Sequence, residues 1–361
     1  MRTFNLPDPL IVVPFLKMGR AHESLLEQFR QRSLCDYSEF PHVKGYEDRL
    51  PPACRGVGAC RSWKLFVVLA DQIVNGVILG SMYALVALGY TLVFGVLDKL
   101  NFAHAEIFMF GGYVGLTWFA LGGPIWASVL FAIVVCGLLG LLVELTSFRK
   151  FTAPDAQITA SLSSLAVGIV IVDLVQKYWG SEPVSLPIPV SLRTAGFTFA
   201  GITFNWLKLG ILAFTVALMI GLHLLVSRTA LGRNIRAVAD NATSATLLGV
   251  DVKRVNQQTF FIASALAGIA GVLLSLRTGF ATSDLGLTFG LKALAIMGIG
   301  GMGDLRGAVV GGLLVGLLEG LAFQFGFGRV ADICVWVLMI IVLLVRPAGL
   351  FGARGSRNVR A

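Results

Sequence analysis

The sequence predicts an all-α polytopic membrane protein, and three observations lead to that fold class. Of the 361 residues, 56% are hydrophobic and only 14% are charged, whereas soluble domains carry roughly 25% charged residues. Apolar runs long enough to span a bilayer recur along the chain, and they lack the short alternating segments of an outer-membrane barrel. With 42 glycines added to the apolar residues, too little polar surface remains to coat a water-soluble globule. A disordered or collagen-like chain is excluded too, and five cysteines are too few for a disulfide scaffold.

Nine apolar segments follow one another between residues 65 and 346, the range that we assign to the transmembrane domain. The second and the seventh contain several glycines and carry His104, Glu106 or Lys292. Such stretches occur at membrane depth where they pack inside protein or line a cavity, so either segment is a candidate for a broken or re-entrant element. We therefore expect eight spans, or nine at most. The segments are Leu65–Leu97, Phe102–Leu121, Ile125–Phe148, Ile158–Tyr178, Trp206–Val226, Thr259–Leu276, Leu287–Met302, Ala308–Phe325 and Val330–Val345.

Basic residues in the connections predict which ends of the spans face the cytosol, because short loops rich in arginine and lysine stay on that side. The connection from Gly180 to Asn205 has Arg193 as its only basic residue and is expected outside. Its two runs, 184–192 and 197–204, predict a small hairpin. The basic tail, residues 347–361, is expected in the cytosol. The cytosolic groups are Arg149 and Lys150; Arg228, Arg233, Arg236, Lys253 and Arg254; and Arg346, Arg354, Arg357 and Arg360.

Residues 1–62 differ in composition from the rest of the chain. They hold six prolines and three of the five cysteines, and they have no apolar core. We expect a disordered cytosolic tail, or upstream sequence that follows from a start codon assigned too early, and in both cases a dispensable segment. Arg55, Arg61 and Lys64 favour a cytosolic side for it. That side requires the second apolar segment to be re-entrant or the first to be split.

The cytosolic connection from Ser227 to Gly249 has a helical pattern. Its apolar and small residues predict one helix from Ile235 to Leu248, with Gly249 placed to end it. Because this helix is too short and too rich in alanine to hold itself against a bilayer, we expect it to dock on another protein. A solvated loop kept inside by its arginines is the alternative, and it explains neither the small residues nor the abrupt glycine. The predicted docking stripe consists of Ile235, Val238, Ala242 and Ala245.

The sequence lacks motifs for catalysis. No Walker A motif occurs, so ATP hydrolysis by this chain is not expected. Residues 298–303 match G-x-G-x-x-G, but they follow an apolar membrane segment instead of a strand, so a dinucleotide site is not expected either. We expect no enzyme activity, no cofactor, no metal site and no nucleic-acid partner. Ionisable residues in the spans are scattered singly and are expected to be satisfied by neighbouring helices or the interface; they are Glu144, Asp173, Lys292, Glu319 and Asp332.

His104 and Glu106 lie near a membrane boundary, where an ionisable pair is costly unless it has partners or water. One hypothesis is that they line a polar vestibule or gate the path of a solute, together with Asn101. The other hypothesis, which we favour, is structural. In that case the two side chains cap a re-entrant helix and bond to its neighbour.

Five motifs in order give the chain a family resemblance over residues 70–352. It resembles the permease subunits of ABC importers for branched-chain amino acids, in which the segment around Ile235 is similar to the coupling loop. Ala105 departs from the family pattern, which usually has glycine there. The other four motifs are Gly80–Leu85 with Gly89–Leu92, Asn101–Glu106, Gly300–Gly303 with Gly307–Ala308 and Gly311–Gly312, and Arg346–Gly352.

The resemblance implies a multi-pass subunit of the bacterial inner membrane, surrounded by membrane lipid. Its partners would be a second permease subunit, two cytosolic ATPase subunits and a periplasmic substrate-binding protein. Urea or short amides on the same architecture remain an alternative cargo. An ion-coupled secondary transporter or a passive channel is a further alternative, but both leave the docking helix unexplained. The implied coupling residues are Arg233, Arg236, Val238, Ala242, Ala245, Leu248 and Gly249, and the candidate path residues are Asn101, His104 and Glu106.

Overall fold

The computed structural model describes residues 57–151, 156–185, 195–199 and 202–352, and most of them are helical. Two compact units divide at Trp63, and of the first unit only residues 57–63 are described. The prediction for residues 1–62 therefore falls largely outside the described residues. The helices are α1 (Val57–Leu97), α2 (Ala103–Ala120), α3 (Ile125–Val143), α4 (Gln157–Trp179), α5 (Trp206–Arg228), α6 (Ala230–Asp240), α7 (Ala242–Leu247), α8 (Val252–Thr278), α9 (Leu285–Gly300), α10 (Leu305–Gln324) and α11 (Ala331–Val345). A π-helical turn, Glu144–Phe148, continues α3, and a 3-10 turn, Gly328–Val330, precedes α11.

All nine apolar segments are helical, which confirms the all-α class. Within the described ranges, six helices are long and apolar enough to cross a membrane, namely α1, α3, α4, α5, α8 and α10. Helices α9 and α11 are apolar but shorter. The two glycine-containing segments form α2 and α9, and each of these is one continuous helix. Neither segment is therefore broken.

Burial separates inner helices from outer ones. In α1 and α8, 83% and 89% of the most apolar stretch is buried. Helices α3, α4 and α5 instead direct large apolar side chains outward, such as Leu138, Val170 and Ile220. This outward apolar surface suits contact with lipid tails, while the helical backbone satisfies its own polar groups. The arrangement is that of a helical membrane domain built around α1 and α8.

Glycine faces allow the inner helices to approach closely. A Cβ atom at Gly80 of α1 would lie 2.7 Å from the Gly312 carbonyl oxygen of α10, and one at Gly316 would overlap the Gly80 backbone. A Cβ atom at Gly111 of α2 would lie 2.5 Å from Gly268 Cα of α8. These small-residue faces thus form contacts within one chain, a point that the sequence left open.

The described residues contain four short strands in two antiparallel pairs: β1 (Val184–Ser185) with β4 (Phe280–Ala281), and β2 (Gly196–Phe199) with β3 (Ile202–Asn205). The predicted hairpin between runs 184–192 and 197–204 is therefore wrong. The second run instead forms most of a hairpin by itself, since β2 and β3 are antiparallel neighbours. Only two residues separate these strands, and a two-residue loop is enough to join antiparallel strands. Val184 and Ser185, the described part of the first run, pair with the distant segment before α9.

Replacing a glycine by alanine should have opposite effects inside and outside the close contact between α1 and α10. Gly316→Ala adds a methyl group against the Gly80 backbone and should destabilise the protein by about 1–3 kcal/mol. Gly221→Ala on α5 meets no atom within 4 Å and should be neutral or stabilising, because alanine favours a helix over glycine by roughly 0.5–1 kcal/mol. Thermal unfolding of both purified variants checks this pair. Equal melting temperatures would contradict the packing.

Candidate functional site

The segment between α5 and α8 contains two helices instead of one. The prediction of a single helix from Ile235 to Leu248 is wrong, because Asn241 interrupts it with an extended backbone (φ −156°, ψ 108°). The Asn241 side-chain oxygen accepts a hydrogen bond from the Ser244 N–H at 2.9 Å. Asparagine is among the preferred N-cap residues. Asn241 therefore ends α6 and starts α7.

Most of the predicted docking stripe is covered by the chain itself. Ile235, Val238 and Ala245 are buried; α6 contacts α5 and α8, and α7 contacts α8. Ala242, the fourth member, is exposed because the bend at Asn241 turns α7 away from the line of α6. The stripe thus holds the segment on its own membrane domain. The exposed apolar surface of the segment therefore lies elsewhere.

That free surface is the far end of α7. Leu247 and Leu248 are 84% and 83% exposed, the highest values among the large apolar side chains that the structure describes. Gly249 follows with φ +84°, which confirms its predicted role as the glycine that ends the helix. The Val250 N–H donates to the Ala245 carbonyl at 3.0 Å and closes the turn. A rigid turn therefore presents two leucines to the surroundings.

Two arginines lie on α6, the helix before α7. Both Arg233 and Arg236 are exposed. The Arg236 guanidinium donates to the Val226 carbonyl near the end of α5, where the helix dipole favours a cation. Arg233 has its side chain directed outward and remains a candidate for acidic groups of a partner or of lipid.

The three candidate path residues at the start of α2 have different surroundings. Asn101 and His104 are fully buried, and the His104 ring packs edge-on against Tyr90 at 4.6 Å. Glu106 is partly exposed, and its side chain lies between Gly168 of α4 and Gly286 of α9. Asn101 and His104 thus belong to the protein core, and only Glu106 borders a surface.

The loop before α2 is anchored at the end of α3. The Lys99 ammonium donates to the Phe151 carbonyl at 2.6 Å. Partial burial lowers the pKa of Lys99. Three residues later, directly before α2, the Phe102 N–H donates to the Ser164 hydroxyl of α4 at 3.0 Å. These two bonds set the position from which α2 enters the core.

A cluster of charged groups inside the bundle was missed by sequence analysis. The Lys292 ammonium of α9 lies 3.1 Å from Glu319 Oε1 of α10, 2.7 Å from Asp332 Oδ1 of α11 and 3.1 Å from the Tyr83 hydroxyl of α1. The Tyr83 hydroxyl donates to Glu319 Oε2 at 2.7 Å. Arg277, at the end of α8, interacts electrostatically with Glu319. We call these five residues the Lys292 cluster.

The cluster confirms the prediction that neighbouring helices satisfy Lys292, Glu319 and Asp332, and it shows that these three residues are not scattered singly. An ammonium has three donors, and here all three have acceptors. A lone lysine in an apolar helix does signal a buried partner, but spacing along the chain does not say which carboxylate approaches it. Glu144 and Asp173, the other two predicted singles, lie outside the cluster. In the ranges that the structure describes, no three His, Cys, Asp or Glu side chains lie together as a metal site.

Two of the sequence motifs meet at the end of α9. The N–H groups of Leu350 and Phe351 donate to the carbonyls of Ile299 and Gly300 at 2.8 and 2.9 Å. Gly301 has φ +110° and no room for a side chain, since a Cβ there would lie 2.6 Å from the Gly352 nitrogen. Residues 347–352 of the predicted tail are therefore packed onto the glycine turn.

These features define a polytopic helical membrane protein with a small exposed apolar turn between α5 and α8. Its sequence matches the family model of the branched-chain amino acid transport system permease component over residues 72–343. The chain belongs to this family of transport permeases.

Individual relatives match over nearly their whole length. The chain is 33% identical over 296 residues to the high-affinity branched-chain amino acid transport system permease protein BraD of Pseudomonas aeruginosa, which covers 78% of this chain and 95% of that protein. It is 34% identical over 305 residues to the permease protein LivH of Escherichia coli K12, with 80% and 96% covered. The fructose import permease protein FruG of Bifidobacterium longum is 27% identical over 157 residues, or 42% of this chain and 46% of that protein.

The Lys292 cluster makes a prediction about stability. Lys292→Met and Glu319→Leu each remove one partner of a buried ion pair and leave the charges of the cluster unbalanced, and breaking a buried pair costs about 3–5 kcal/mol. In the double variant both charges are gone, so its loss of stability should be clearly smaller than the sum of the two single losses. Unfolding curves of the four proteins measure this coupling. Additive losses would show that the two groups do not depend on each other.

Proposed function

We propose that this chain is one of two transmembrane subunits of an ATP-driven importer for branched-chain amino acids. The observation that carries the proposal is the rigid α6–α7 segment, held on the membrane domain by its own buried stripe and presenting Leu247 and Leu248. Two relatives named as branched-chain amino acid permeases match over at least 95% of their length. The sugar-permease relative matches over less than half of this chain, so it supports an amino acid cargo less than the others do.

Energy for transport would come from two cytosolic ATPase subunits, because the sequence has no Walker A motif. A periplasmic binding protein would deliver the solute on the other side of the inner membrane. A secondary transporter or a channel has no use for an exposed apolar turn on a rigid cytosolic segment. Leu247 and Leu248 would enter a cleft of the ATPase, and Arg233 would face its acidic residues or lipid headgroups.

The packing also supports a membrane topology. Helices α1 and α10 are antiparallel, since Gly76 lies near Gly316 and Gly95 near Gly303. The start of α10 adjoins the packed C-terminal motif, so α1 would end on that same side. We propose nine crossing helices, namely α1 to α5 and α8 to α11, with the C-terminus in the cytosol. In this topology α2 crosses the membrane, and Leu69 lies near the outer surface, opposite to the cytosolic side that Arg55, Arg61 and Lys64 favour.

The solute path would follow the exposed face of α9. Helix α9 contacts α2, α10 and α11, yet Leu287 and Leu291 remain 64% and 43% exposed. Glu106 lies beside its first turn, next to Gly286. Of the three candidate path residues, Glu106 is the one that we place at this path. Asn101 and His104 would support it from the core.

The topology predicts opposite accessibility for two exposed serines. Ser181, after α4, should react with a membrane-impermeant reagent from outside when it is replaced by cysteine. Ser244, at the start of α7, should react only from inside. Both reporters require a background without the native cysteines. Labelling of both from one side would contradict the topology. Ser191, the outside reporter that the sequence suggests, lies outside the described residues.

Substitutions in α7 test the coupling role. Leu247→Asp and Leu248→Asp place a charge in the proposed interface, where a desolvated unpaired charge costs about 2–5 kcal/mol of binding. Because both side chains are exposed, we expect normal folding, loss of the ATPase subunits on co-purification and a loss of uptake. Ala245→Glu should instead reduce the amount of folded protein, since Ala245 is buried in the chain itself.

The matched control for this test is Asn234→Asp. It adds the same charge at an exposed position of α6 and removes no leucine, so complex and uptake should be retained. Uptake and co-purification at parental levels in Leu247→Asp and Leu248→Asp together would show that α7 is not the coupling element.

A further inference from the structure

One partner of Lys292 differs from the others. The Glu319 and Tyr83 side chains are buried within the bundle. The Asp332 side chain is 62% exposed, although its contact with the Lys292 ammonium is the shortest of the three, at 2.7 Å. Of the three partners, Asp332 is therefore the one that faces the surroundings of the bundle. A solute group that reaches the ammonium from that side would take the place of this carboxylate.

Such an exchange has strict charge requirements. All three donors of Lys292 are in use, so an incoming group has to be an acceptor and should be anionic, as Asp332 is. The displaced Asp332 carboxylate then needs a cation. Lys292 and Arg277 balance Glu319 and Asp332, so a solute with a net charge would leave the cluster unbalanced inside the membrane.

A zwitterion meets both requirements at once. The carboxylate of an α-amino acid can accept from Lys292 while its ammonium donates to Asp332, and the total charge stays the same. A carboxylic acid would satisfy Lys292 alone, and an amine would satisfy Asp332 alone. The cluster therefore favours solutes that carry both groups on neighbouring atoms.

The surface beside the cluster is apolar. Leu291 directly precedes Lys292 and is 43% exposed, and Leu287, one turn earlier on α9, is 64% exposed. Thr288 lies on the same side of the helix, four residues before Lys292, and is exposed as well. An aliphatic side chain attached to the zwitterionic group would lie along these two leucines.

We propose that Lys292 and Asp332 form a binding site for the zwitterionic head of an aliphatic α-amino acid, which opens their ion pair by exchanging partners with it. The proposal rests on the importer function and deepens it, since it names the chemical class of solute that the membrane subunit itself recognises. Glu319 and Tyr83 act as positioning residues that keep the Lys292 ammonium in place.

A cysteine at Leu291 tests the site directly. The full chain with its partner subunits, in nanodiscs and without native cysteines, carries Leu291→Cys and is labelled with a maleimide. Millimolar leucine should slow labelling, whereas leucinol, which lacks the carboxylate, and 4-methylpentanoate, which lacks the ammonium, should not. Asp332→Asn should weaken the protection by leucine roughly tenfold, the loss expected for one charge-assisted hydrogen bond. This variant should fold, because asparagine keeps a side-chain oxygen that can accept from the Lys292 ammonium and the position is largely exposed.

Asp173→Asn on α4 is the matched control, because it neutralises an exposed carboxylate outside the Lys292 cluster and should leave protection unchanged. Three results would overturn the site. Leucine could protect the cysteine from labelling equally in Asp332→Asn and in the parent, all three compounds could protect it equally, or leucine could fail to protect it. ATP-driven uptake by the parent is measured in parallel. A parent that takes up leucine without protection overturns the site alone, whereas a parent without uptake overturns the importer function.

Discussion

The Lys292 ammonium is a charge inside an apolar bundle, and its need for partners connects four helices. A lone cation at this place would be costly, so α1, α10 and α11 each supply an acceptor to α9. The same helices approach one another through glycines, as Gly80 and Gly316 show. Close packing and charge pairing thus reinforce each other, because the short distances exist only where the backbones can meet.

The packed interior also holds the exposed segment α6–α7 in a fixed position. Helices α6 and α7 are held on the domain through Ile235, Val238 and Ala245, so a push on Leu247 or Leu248 would be passed to α5 and α8. Asp332 is the most exposed carboxylate of the Lys292 cluster. In our proposal α7 binds a partner protein, Asp332 and Lys292 bind a zwitterionic solute, and the helical bundle would connect the two mechanically.

Sequence patterns predicted the helical class, the apolar segments and the glycine that ends α7, because each depends on local chemistry. They also led to the family. They missed one local feature, the N-cap at Asn241 that turned one expected helix into two. Otherwise they failed where the outcome depends on residues far apart in the chain, as where β1 paired with β4 instead of its neighbour. The partners of Lys292 lie 27 to 209 residues away in sequence, and no periodicity reports such a contact.

In the function that we propose, this chain moves an amino acid at the expense of ATP hydrolysed by other subunits. Uptake of labelled leucine into proteoliposomes that contain the chain and its partner subunits tests it most directly. We predict uptake only when ATP is present on the side of α7 and the binding protein is present on the opposite side. Uptake at the same rate without ATP, or without the ATPase subunits, would contradict the account.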